Sequence, residues 1–65
     1  MKTYKILVHE RRREEPITLV AELSCDQRAR EFARDRLASS TRYEFVEVWD
    51  GATRLCRFGA VRQAA

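Results

Sequence analysis

The sequence predicts an α+β fold: a four-stranded, mainly antiparallel sheet with one helix packed on one face, in the order β-β-α-β-β. Three observations predict it. Two short segments near the N-terminus alternate apolar and polar residues and are joined by a charged connector. One segment with helical spacing follows, and an Asp-Gly pair then divides the last apolar stretch into a hairpin.

Residues 3–9, TYKILVH, set Tyr4, Ile6 and Val8 on one side and Lys5, Leu7 and His9 on the other. That two-residue repeat and the β-branched and aromatic content describe a strand. The connector ERRREEP ends at Pro16, which lacks a backbone donor and so suits the beginning of a strand. Residues 17–23, ITLVAEL, form the second strand, with Ile17, Leu19, Ala21 and Leu23 on one face and Thr18, Val20 and Glu22 on the other. A charged loop between two adjacent strands predicts a hairpin.

The helix start is marked twice. Ser24 stands three residues before Gln27, the spacing of a capping box, and Asp26 offers an alternative cap with a favourable charge. Ala29, Phe32, Ala33 and Leu37 recur at helical spacing as a narrow apolar stripe, with Arg28, Arg30, Glu31, Arg34 and Asp35 outside it. SSTR, residues 39–42, closes the helix with side chains that compete for backbone hydrogen bonds.

In VEVWDGATRLCRF, Asp50-Gly51 predicts a two-residue type I′ turn, which needs positive φ at both positions. That register pairs Val46 with Leu55, Phe45 with Cys56 and Tyr43 with Phe58. It also sets two cross-strand ion pairs, Glu47 with Arg54 and Glu44 with Arg57. Val46, Val48 and Leu55 then share one face, while Tyr43, Phe45, Trp49, Cys56 and Phe58 share the other. One helix covers only one face of such a sheet. The aromatic second face is therefore the candidate partner surface, and a second copy of the chain is its expected occupant.

Size points the same way. A domain near 65 residues buries only about 60% of the surface its unfolded chain exposes, and small folds usually draw stability from a disulfide, a metal or a partner. The single domain expected over residues 1–65 has two cysteines, Cys25 and Cys56, enough for one bridge. That usage fits reduced thiols in the cytoplasm. The apolar run at the N-terminus is too short for a signal peptide, and no stretch approaches the roughly 20 apolar residues of a membrane span, so no membrane partner is expected.

The formal charge is +3, carried mostly by arginine, whose planar fork suits phosphate and carboxylate. Nucleic acid is the alternative partner, through Arg11, Arg12 and Arg13 in the connector and Arg28, Arg30 and Arg34 on the helix. Glu14 and Glu15 follow the first run and dilute it. Aromatic residues on a sheet can also stack bases, but no aromatic-glycine signature on a central strand accompanies them here.

A catalytic constellation is missing from the pattern. His9 is the one histidine and reads as a solvated residue at a strand end. Cys25, Cys56 and His9 are too scattered for the paired spacing of a structural zinc site. Cys25 precedes the helix, where a thiolate is favoured, though a small buried side chain filling space is the simpler expectation. Neither Gly51 nor Gly59 opens a helix, so no phosphate-cradling loop is present. The expectation is a non-enzymatic protein-binding homodimer without cofactor or metal.

The segments AELSCDQRAREFARDRL and VEVWDGATRLCRF cover about half of the 65 residues. In them the chain resembles a set of short bacterial proteins, common in proteobacteria, that close with a V-E-[LV]-W strand, a tight turn and a last strand. Trp49 beside the turn is the most distinctive match, and the ERRREEP loop departs from the usual shorter connector. The resemblance implies the β-β-α-β-β fold and carries no known function, activity or site residue.

Overall fold

The computed structural model describes residues 1–59. Strands β1 (Lys2–Glu10) and β2 (Ile17–Leu23) are followed by helix α1 (Asp26–Ala38), then by β3 (Tyr43–Asp50) and β4 (Thr53–Gly59). The chain has the α+β fold its pattern predicts: one open sheet of four strands in the order β2-β1-β3-β4, every neighbouring pair antiparallel. β2 and β3 both run opposite to β1 and hence parallel to each other. Such a pair needs a crossover connection, which α1 supplies on one face of the sheet.

That face holds the core. Tyr4, Ile6 and Val8 of β1, Val46 and Val48 of β3, and Ala29 and Ala33 of α1 are essentially inaccessible to solvent. The two alanines, four apart on the helix, let its backbone come close to the central strands. Phe32 and Leu37 pack at the margins together with Ile17, Leu19 and Leu23. The apolar stripe thus lies where its spacing predicts.

The end of the sheet where β1 begins is tied by charge. The Tyr4 hydroxyl, at the end of a buried ring, donates to Asp26 Oδ1 at 2.6 Å. Lys2 bridges Asp26 at 3.4 Å and Asp50 at 2.7 Å, joining the helix N-terminus to the end of β3. The Tyr4 hydrogen bond, helped by Lys2, outweighs desolvation and holds the Asp26 carboxyl below its ordinary pKa. The same bond raises the Tyr4 phenol above its own.

Three expectations are corrected. The helix N-cap is Cys25, not Ser24 or Asp26, and no side-chain cap hydrogen bond forms there; Asp26 is the first helical residue and is engaged by Tyr4 instead. Cys25 is exposed rather than buried. The third correction concerns the hairpin. Asp50 stays in the strand opposite Thr53, so the loop is Gly51-Ala52. Gly51 has φ +60° and no other residue type takes positive φ among the described residues, the signature of a type II′ turn with glycine first.

Moving the turn shifts the pairing by two residues, which leaves every side chain on its predicted face. A bulge then reverses them. Trp49 pairs with Arg54 but Val48 pairs with Cys56, so Leu55 is the extra residue on β4. Beyond it, Cys56 and Phe58 turn to the helix side beside Val48 and Val46, and Arg57 turns to the open side beside Glu47. A second irregularity pairs His9 with Phe45 but Glu10 with Tyr43, leaving Glu44 unmatched; Tyr43 packs against the core.

Candidate functional site

The open face of the sheet is built in rows by the strand registers. Val20, Lys5, Trp49 and Arg54 lie across one row, and Thr18, Leu7, Glu47 and Arg57 across the next. His9 and Phe45 follow at the far end. No element of the described chain covers these rows. Val20 is 69% exposed, while Leu7, His9, Phe45, Glu47 and Trp49 are half-buried by their neighbours.

His9 of β1 stacks on Phe45 of β3 with ring centroids 3.9 Å apart and planes within 16°. From β4, the Arg57 guanidinium rests over the same ring at 4.2 Å. One row along, Glu47 is held in the same manner. Its Oε1 lies 3.1 Å from His9 Nε2 and its Oε2 accepts from Arg54 at 3.1 Å. Burial pushes the Glu47 carboxyl up, but the bonds from Arg54 and His9 outweigh it and leave the group below its ordinary pKa. The carboxylate is therefore a spent charge, 13% exposed and satisfied from both sides. Trp49 Nε1 is buried without a hydrogen-bond partner among the described residues.

Of the predicted partner face, Phe45 and Trp49 lie on this open surface. Tyr43, Cys56 and Phe58 do not: they pack against the core cluster on the helix side. Burial raises the Cys56 thiol above its ordinary pKa, against the pull of Arg30. His9 is not a solvated terminus but part of the central contact, reached by continuing the β1 alternation. Arg57 was hidden from sequence reasoning by the bulge at Leu55. The Glu47–Arg54 ion pair forms across a diagonal, and Arg57 serves Phe45 rather than Glu44.

The predicted arginines separate into two groups. Arg11 and Arg12 meet Thr41 and Arg42 around a concavity of about 440 Å³, with Glu10 also on its wall. Arg11 and Thr41 also border a second groove of about 500 Å³, where Arg34 stands near Leu37, Tyr43 and Phe58. The Arg11 amide donates to the Arg42 carbonyl at 3.0 Å, pinning the β1–β2 loop to the α1–β3 loop. Arg42 is thus a member that no motif announced. Arg13 borders neither groove. Arg28 pairs with Glu31 at 3.4 Å, and Arg30 lies toward Cys56.

Cys25 at the helix start is exposed, and the free amides of the first helical turn, that of Arg28 foremost, favour its thiolate and hold the thiol below the ordinary pKa although no cap hydrogen bond forms. No helix among the described residues is long and apolar enough to cross a membrane. No family model matches the chain, and no curated protein or solved structure is significantly similar to it.

Proposed function

We propose that this protein is a small non-enzymatic interaction module of the cytoplasm that pairs with a second copy of itself through the open face of its sheet. The observation that carries the reading is exposed Val20 beside half-buried Leu7, Phe45 and Trp49, on a sheet face that no described element covers and opposite a core of seven buried residues. Apolar side chains gathered on an unpartnered sheet face suit an interface, because contact with a partner removes them from water. The chain's one histidine and its central carboxylate are spent on each other, which favours binding over catalysis.

Sedimentation velocity, with absorbance at two wavelengths to detect bound nucleic acid, tests this directly. The expected result is a concentration-dependent dimer of pure protein that Val20→Glu dissociates without altering the circular dichroism spectrum. A monomer at every accessible concentration, or a dimer indifferent to Val20→Glu, would overturn the proposal.

A further inference from the structure

The arginine-lined end of the molecule lies outside the proposed dimer surface. We infer that the two adjoining grooves there form a binding site for single-stranded nucleic acid. The phosphate would sit in the groove of Arg11, Arg12 and Arg42, and the base in the groove of Tyr43 and Phe58.

Charge is the first observation. Among the described residues only Arg28 and Arg54 of the arginines hold a glutamate; of the arginines without a salt bridge, Arg11, Arg12, Arg34 and Arg42 are the ones that line the two grooves. The guanidinium groups of Arg11, Arg12 and Arg42, gathered around one concavity without an ion-pair partner among the described residues, are available to a phosphate, which arginine binds in bidentate fashion. Glu10 on the wall lowers the local field but leaves three arginines against one carboxylate in the first groove.

The second observation is the pairing of unlike surfaces. The first groove is lined by three arginines with Glu10 and Thr41; the second by Leu37, Tyr43 and Phe58, with Arg34 beside them. Arg11 and Thr41 belong to both, so the two adjoin. Their volumes, about 440 and 500 Å³, are in the range of sites that hold small ligands. A ligand that is anionic at one end and flat and apolar at the other matches that division, as a nucleotide unit does. Single strands are bound by this combination of basic groove and aromatic contact, because every base offers a π-face.

The third observation is rigidity. The two loops that supply Arg11, Arg12, Thr41 and Arg42 are joined by the Arg11–Arg42 backbone bond, and the Arg42 amide is held in turn by Ser40 Oγ at 3.2 Å. The arginines therefore start from anchored backbones, which lowers the ordering cost of binding.

The site is tested with a short fluorescein-labelled oligouridylate, read by anisotropy on the full chain at several salt concentrations. Three phosphate contacts predict a salt slope of about −2. Arg11→Gln/Arg42→Gln should weaken binding about tenfold or more and flatten the slope by roughly 1.4. Arg28→Gln/Arg30→Gln, which removes the same charge elsewhere, should retain most of the affinity. Uridine monophosphate followed by amide NMR supplies a readout independent of net charge, with shifts expected at Thr41, Arg42 and Tyr43. Equal losses in the two double variants would overturn the inference by showing a diffuse field. So would shifts centred on Phe45 and Trp49, absence of saturable binding at low salt, or displacement by an oligoglutamate of equal charge as effective as by unlabelled oligouridylate.

Discussion

Ile6 and Leu7 are neighbours in β1 that face opposite sides of the sheet, and shortening each to valine tests which side is the core. Ile6 is fully buried, with Leu19 on one side and Val48 on the other; Leu7 is half-buried on the open face. At about 0.05–0.15 kcal/mol per residue the whole fold is worth roughly 3–10 kcal/mol. Ile6→Val deletes one methylene from a filled core and should cost about 1 kcal/mol. In a chain this small that lowers Tm by about 4–8 °C. Leu7→Val removes the same volume from a site open to water. About half of a buried methylene's ~0.8 kcal/mol is at stake, and valine's preference for strands offsets part of it. Thermal unfolding by circular dichroism at a dilution that keeps the chain monomeric reads both. If Leu7→Val costs as much as Ile6→Val or more, the assignment of faces on β1, and with it the open surface, is wrong.

Three further outcomes are expected. Gly51→Ala should destabilise the hairpin by about 1–2 kcal/mol in urea titration, because φ at +60° is strained for a side chain even though nothing lies within 4 Å of the added methyl. Asp26 has a depressed pKa, so its contribution is present above the ordinary value of 3.8 and disappears as pH falls below it. Tyr4→Phe, which removes the largest cause of that depression, should flatten the loss of Tm on acidification; an unchanged acid profile would show that the Tyr4–Asp26 bond does not set it. Cys25 is exposed with a lowered pKa, whereas Cys56 is half-buried with a raised one. Brief treatment with iodoacetamide followed by peptide mass mapping should therefore find Cys25 alkylated first.

Local pattern by itself determined the elements and most of their faces. Alternation placed Tyr4, Ile6 and Val8 inward from β1 and Ile17, Leu19 and Leu23 inward from β2. Helical spacing placed Ala29, Phe32, Ala33 and Leu37 against them. These hold because burying one face of an element is a property of its own residue order. The strand order, with β1 at the centre between β2 and β3, was decided by the crossover of α1 and the long-range pairing it permits. The surface chemistry was decided later still. One inserted residue, Leu55, has no local signature, because a bulge answers to packing with the partner strand; yet it turned Cys56 and Phe58 into the core and brought Arg57 out to Phe45. Likewise Arg42 carries no motif of its own. It joins Arg11 and Arg12 only because two loops far apart in the chain meet through a backbone hydrogen bond at the end of the sheet.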